Sequence, residues 1–210
     1  MERIQTRGAA GFRANSYLLY DPRSLDAVAI DPDCSGSFFE DVRAHGLVLR
    51  ACLLTHGHFD HIASVPQFTA AFPDAPVVIH PLGAAKLADP MQNLSAMMGQ
   101  PFTVPEAQIF PRDGETLRFG TVSVKVLYTP GHTECSVCYW AEGRLFSGDT
   151  LFTGSMGRTD FPDGDVSAMM RSLALLHDLP DSLAVSPGHE GETTLAWEKK
   201  TNPYMKEALR

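Results

Sequence analysis

The chain has 210 residues, 44% of them hydrophobic and 20% charged, which suits one folded domain and excludes a disordered or low-complexity chain. Its net charge of −8 argues against a nucleic-acid partner, because a phosphate backbone calls for a basic surface. No apolar run is long enough to cross a bilayer, and the start Met1-Glu2-Arg3-Ile4-Gln5 lacks the charged-then-apolar pattern of a signal peptide, so the sequence predicts a cytoplasmic protein without a membrane partner.

Residues 16–19 and 26–30 are short apolar runs separated by the turn residues Asp21-Pro22, and they predict a hairpin. Ser37 and Glu40 match the S-x-x-E capping box, which predicts a helix start, and Gly46 stands where that helix should stop. Residues 47–55 predict a strand. Ile62, Val65, Phe68 and Phe72 then share one helical face, with Pro66 tolerated in a first turn. Residues 76–80 predict another strand, so this stretch has the order of a crossover unit with parallel or mixed pairing. The segment 82–106 is broken by Pro90, Gly99, Pro101 and Pro105. Within it, Leu94, Met97 and Met98 have the spacing of an apolar helical face that covers core, the alternative being a substrate lid.

A second hairpin is predicted for 116–119 and 122–127 around Gly120, followed by short strands at 136–140 and 145–147. Asp165 can cap a helix with Val166, Met169, Met170, Leu173 and Leu176 on one face. A last strand at 183–186 and a helix over 194–200 complete the series. Cys52 lies in an apolar strand and Cys34 in a turn. Cys135 and Cys138 form a C-x-x-C, but the strand-like Val137, Tyr139 and Trp140 do not give it the helix N-terminus of a redox pair.

The chemistry concentrates in four turns. Thr55-His56-Gly57-His58-Phe59-Asp60-His61 follows an apolar run directly and delivers three histidines and an aspartate to one loop. His132, Asp149 and His189 each follow a strand-like run, beside Gly131, Gly148 and Gly188. A lone Pro-Gly-His is ordinarily a turn with an exposed histidine, and a lone Gly-Asp-Thr a capped turn. H-x-H-x-D-H is different, because packing does not ask for four polar donors in one loop. The seven donors His56, His58, Asp60, His61, His132, Asp149 and His189 exceed what one four-coordinate ion takes, and a carboxylate bridging two divalent ions would use them all. His45, His80 and His177 have no such context.

His56-x-His58-x-Asp60-His61, followed in order by His132, Asp149 and His189, resembles the metallo-β-lactamase superfamily over nearly the whole chain. The resemblance implies an α/β fold: an αβ/βα sandwich of two mixed β-sheets with helices on the outer faces, here as a single domain over 1–210. The runs Gly148-Asp149-Thr150-Leu151-Phe152 and Gly157-Arg158-Thr159-Asp160-Phe161 are similar to type II glyoxalases, the hydroxyacylglutathione hydrolases, and most of all to their short bacterial relatives. With Arg210 as the last residue read, the expectation is a protein without the C-terminal helical domain that helps to hold glutathione in the long enzymes. Gly57 replaces a further histidine and Asp160 an aromatic residue of those enzymes, which leaves the thiol carrier open.

By that resemblance His56, His58 and His132 hold one metal, Asp60, His61 and His189 a second, and Asp149 bridges. Asp60 also orients the nucleophile, and Arg158 meets the glutathione moiety. Zinc is the metal implied, with iron or manganese compatible with nitrogen and oxygen donors. The implied reaction is hydrolysis of S-lactoylglutathione or a similar small-molecule thioester, since water shared by two cations ionises at a pH of about 7. Two alternatives remain open. One is a mono-iron persulfide dioxygenase using His56, His132 and Asp149, which the Gly157-to-Phe161 run also resembles. The other is a further metallo-hydrolase of this fold acting on a lactone or phosphodiester.

Overall fold

The computed structural model describes residues 1–6 and 14–209; Arg210 lies outside them. Strands apolar on both faces must be covered on both, and the chain does this with two sheets packed face to face under outer helices. The first sheet runs β1 (Glu2–Thr6), β2 (Ser16–Tyr20), β3 (Asp26–Ile30), β4 (Val48–Leu53) and β5 (Val77–Val78), in that spatial order. β1, β2 and β3 pair antiparallel, whereas β3, β4 and β5 pair parallel. The second sheet contains β6 (Thr116–Phe119), β7 (Val122–Tyr128), β8 (Val137–Ala141) and β9 (Arg144–Gly148). After a two-stranded ribbon, β10 (Leu151–Phe152) with β11 (Ser155–Met156), it is completed by β12 (Ala184–Pro187) and β13 (Thr193–Thr194). Its order is β13-β12-β9-β8-β7-β6.

The period-2 alternation of the strands sorts the core into three layers. Tyr17, Leu19, Val28, Ile30 and Leu53 of the first sheet meet Val122, Val124, Val126, Tyr139 and Phe146 of the second. The opposite face of the first sheet, with Leu18, Ala29 and Cys52, is covered by Phe38 and Val42 of α1 (Phe38–Ala44), Ile62 of α2 (Phe59–Ile62), and Val65 and Phe68 of α3 (Val65–Ala71). A short α4 (Ala84–Ala88) extends that layer through Leu87. The outer face of the second sheet is covered by Met169, Leu173 and Leu176 of α5 (Val166–His177), Leu195 of α6 (Leu195–Thr201) and Met205 of α7 (Pro203–Glu207). Each fully buried Leu, Ile, Val, Phe or Met among these contributes about 1.5–3 kcal/mol.

Both predicted hairpins form, with Gly120 at φ +60° in the second. Gly46, at φ +63°, ends α1 as expected. Asp165 caps α5 by accepting from Ala168 N at 2.9 Å. Several expectations are corrected. The capping box does not close: Ser37 Oγ donates instead to Asp41 Oδ2 at 2.6 Å, satisfying a carboxylate rather than the helix end. The apolar face from Ile62 to Phe72 is split, because Ile62 ends α2 and α3 starts afresh at Val65 with Pro66 in its first turn. Leu94, Met97 and Met98 share no helix; Leu94 is buried, while Met97 and Met98 are 64% and 53% exposed. Strand β1 and helix α7 were not foreseen; β1 is a polar edge strand, and α7 is started by Asn202, which accepts from Tyr204 N at 3.0 Å.

The topology fixes where the chemistry falls. β7 and β9 both run antiparallel to β8, and β12 runs parallel to β9, so all three end at one edge. β3 and β4 end at the corresponding edge of the first sheet, where Val137 N donates to Thr55 O at 2.9 Å and Tyr139 OH to Leu54 O at 2.9 Å.

Candidate metal centre

The turn after β4 carries His56, His58 and, in the first turn of α2, Asp60 and His61. His132 lies between β7 and β8, Asp149 directly after β9, and His189 just beyond β12. Glycine makes this convergence sterically possible. A Cβ on Gly188 would lie 2.2 Å from Asp149 Oδ1 and 2.8 Å from His61 Cε1, and one on Gly157 would collide with the Asp149 carbonyl.

All seven predicted donors meet. The donor atoms of His56, His58 and His132, of His56, His61 and Asp149, and of Asp60, His61 and His189 form three groups, each within 4.8 Å. His58 Nδ1 lies 2.9 Å from His132 Nε2, and His189 Nε2 lies 3.2 Å from Asp60 Oδ2. Asp149 stands between the two sides: Oδ1 is 3.3 Å from His61 Nε2, and Oδ2 is 3.5 Å from both His132 Nε2 and His189 Nε2.

The donor set passes a direct test for a cation. Nε2 of His56 and His61 and Oδ1 of Asp149 are buried without a hydrogen-bond partner, while His58 turns Nδ1 toward His132. Buried polar atoms are rarely left so, and a cluster of them facing one another calls for a positive charge among them. The opposite ring nitrogens are already held. His132 Nδ1 lies 2.8 Å from Arg158 O, and His61 Nδ1 lies 2.8 Å from Asp31 Oδ2, which leaves each Nε2 facing the cluster. Thr55 Oγ1 donates to the same Asp31 carboxylate at 2.6 Å and lies 3.1 Å from His56 Nδ1.

For His56, His58 and Asp149 the electrostatics favour the ligand forms. Burial, reinforced by the neighbouring rings, lowers His56 well below the ordinary histidine range and His58 to about 3, so both imidazoles are neutral. Burial alone would raise Asp149, but His61, His132 and His189 outweigh it and hold the carboxylate ionised. His61 and His189 are raised instead, His61 because Asp31 and then Asp149 and Asp60 outweigh its burial, and His189 because Asp60 and Asp149 do. A cation bound by these two rings would displace a proton from each.

The cluster floors a cleft of about 390 Å³. Phe161 stands edge-on to His58 and His132, with ring centroids 5.1 and 5.7 Å away, and Phe152 edge-on to His189 at 6.0 Å. Leu94 and Met156 extend this apolar wall. Arg158 lines the cleft with its guanidinium 4.3 Å from the centre of the Phe161 ring, and donates Nε and Nη2 to Asp160 at 2.6 and 2.7 Å. His45 and His80 lie elsewhere: His45 Nδ1 is 2.9 Å from Asp41 O, and His80 stacks on Tyr128.

Residues 10–189 match the metallo-β-lactamase superfamily. The chain belongs to that superfamily. Among curated relatives, the probable metallo-hydrolase YqgX of Bacillus subtilis is 35% identical, the match covering 92% of each chain. The hydroxyacylglutathione hydrolase GloC of Haemophilus influenzae is 29% identical over 96% of this chain and 97% of that one. Among solved structures, the B3 metallo-β-lactamase BLEG-1 superposes with a TM-score of 0.90 at 34% identity, covering 97% of this chain and 99% of that one. The di-iron-bound form of TTHA1623 gives 0.82 at 33% identity, covering 96% and 100%. ETHE1 from Myxococcus xanthus gives 0.79 at 31% identity, covering 97% and 84%. The superfamily resemblance and the αβ/βα sandwich predicted from sequence are therefore borne out. No helix among the described residues is long and apolar enough to cross a membrane.

Three contributors escaped the sequence reading. Asp31 has the same strand-then-aspartate context as Asp149, but Pro32 after it gives it the look of a turn residue. Asn15 donates Nδ2 to Pro187 O and Glu190 O at 3.0 and 2.9 Å and so clamps the His189 turn. Lys86, buried under Gly57, pairs with Asp163 at 2.7 Å.

Proposed function

We propose that this superfamily member is a binuclear metal-dependent thioester hydrolase, acting on S-lactoylglutathione or a similar hydroxyacyl thioester. The observation that carries this is the second donor group. Asp60, His61 and His189 converge beside Asp149 as closely as His56, His58 and His132 converge among themselves. A single cation held by His56, His58 and His132 would leave this second group without one. In this reading His56, His58 and His132 hold one cation, Asp60, His61 and His189 the other, and Asp149 both. Zinc or iron suits the donors; the similarity to a di-iron-bound structure argues for testing both.

Such cations supply water that ionises at a pH of about 7 and draw electron density from the carbonyl oxygen. The chain does the rest. Asp60, paired with His189, orients the attacking water. Phe161 and Phe152 keep bulk water from the reacting carbonyl. Arg158 meets the thiol half of the substrate at the mouth of the cleft. The thiolate is a good leaving group, and no serine or cysteine nucleophile is required. The similarity to hydroxyacylglutathione hydrolase GloC supports the choice of substrate.

Metal analysis of purified protein, with a thioester panel, tests the proposal. Two metals per chain and thiol release from S-lactoylglutathione are expected. One iron per chain with oxygen consumption on glutathione persulfide would overturn it in favour of a mono-iron persulfide dioxygenase, the reading that the Gly157-to-Phe161 run otherwise supports.

A further inference from the structure

Leu94 is 5% exposed yet belongs to none of the three apolar core clusters of the described residues. It lines the cleft instead. Its backbone lies at φ +68°, a left-handed conformation that is uncommon for a leucine and costs about 1–3 kcal/mol. Such a conformation persists only where the surroundings impose it, and here they do. Asn93 O accepts from Phe59 N at 2.8 Å, tying the turn to the metal-centre loop. Asn93 Oδ1 accepts from Ser95 N at 2.9 Å, and Asn93 Nδ2 donates to Phe102 O at 3.1 Å. Ser95 Oγ accepts from Phe102 N at 3.0 Å, and Met97 N donates to Leu94 O at 3.1 Å. Asn93 and Ser95 are both buried, so a polar frame is spent on one apolar side chain that adds nothing to the core.

We infer that Leu94 is a specificity-determining residue which, with Phe152, Met156 and Phe161, recognises an apolar substituent next to the scissile bond. The polar donor cluster floors the cleft beside this wall, so a substrate lies with its reacting carbonyl toward the histidines and its apolar portion against the wall. The charged side chains of the rim do not compete for that portion: Arg158 is already held by Asp160, and Glu190 is exposed. Within the hydroxyacyl thioesters proposed above, the substrate class is one whose acyl group carries an aliphatic extension. This choice of bond rests on the thioester reading above; the apolar recognition does not.

Leu94→Gly is a discriminating variant, because it deletes the side chain and at the same time removes the backbone strain. Leu94→Asn is a second, since asparagine tolerates this conformation but is polar. Metal-loaded protein is assayed on acetyl, butanoyl and hexanoyl thioesters of N-acetylcysteamine, and calorimetry follows binding of the matching non-hydrolysable alkyl thioethers. The unaltered chain should favour the longer groups. Both variants should raise KM for the hexanoyl ester about tenfold more than for the acetyl ester, the size expected for losing contact with a buried leucine. Thioether binding should weaken in parallel. An unchanged chain-length preference in folded, metal-loaded variants would overturn the inference. If no thioester is cleaved by the unaltered chain while thioether binding still depends on Leu94, the hydrolase reading falls and the apolar recognition stands.

Discussion

Asp31 and His61 are joined by a buried contact of 2.8 Å between Oδ2 and Nδ1, so that an aspartate outside the seven donors sets which face of the His61 ring looks into the cluster. The same carboxylate accepts from Thr55 N at 2.8 Å, and the residue sits at φ +44°. Replacing it by asparagine suits that backbone and keeps the volume but weakens the hold on the ring. Asp31→Asn should lower the affinity for the cation held by His61 about 10–100-fold, the usual range for such outer partners. Metal titration followed by calorimetry would show one weakened site of two; two unaltered sites would refute it.

Asp149 stands between both donor groups. Asp149→Ala and His58→Ala should each abolish stable metal uptake and turnover together. Stripping the metal from the unaltered chain should do the same and lower Tm, since a cation present at a hundredfold its Kd adds about 2.7 kcal/mol to the folded state. Turnover that persists in stripped protein would exclude the mechanism.

Gly188→Ala should be selective. Its Cβ would press on Asp149 Oδ1 and His61 Cε1, while the interior between the sheets is untouched. The expected result is impaired metal uptake with a stability loss of about 1–3 kcal/mol, typical of overpacking. Metal content and denaturant midpoint measured side by side separate the two effects.

The ligand turns could be read from sequence because H-x-H-x-D-H places polar donors where packing needs none. The outer frame could not. Asp31 precedes a proline and looks like a strand end; Asn15 is one polar residue before a strand; their roles appear only when β2, β3 and β12 are brought to one edge. Leu94, Met97 and Met98 have helical spacing, yet the Asn93 side chain bonds the local backbone, a competitor to helix that spacing ignores. The β1 strand has no apolar alternation and forms because β2 offers it a partner.

Lys86 and Asp163 give a prediction in pH. Lys86 is 2% exposed, and its Nζ lies 2.7 Å from Asp163 Oδ2. Burial would raise the Asp163 carboxyl, but the Lys86 ammonium outweighs it and holds it below its ordinary value. A carboxyl lowered in the folded state adds stability that is full above its unfolded value of about 4 and is lost as pH falls through the lower folded value. Lys86→Met, which leaves Asp163 without its cation, should destabilise metal-free protein by about 3 kcal/mol at pH 7. The gap in Tm between the two proteins should narrow as pH falls below about 4. A gap that is constant with pH would contradict the pairing.

Each donor group is drawn from both sheets: His56 and His58 with His132, and Asp60 and His61 with His189. The first sheet is built from the chain before residue 79 and the second from the chain after residue 115. A cation that binds the whole cluster is therefore a stitch between two halves of one polypeptide, neither of which carries a complete set. Severed between the halves and mixed, the two fragments should reassemble far better with metal than without it, and a chelator should pull them apart.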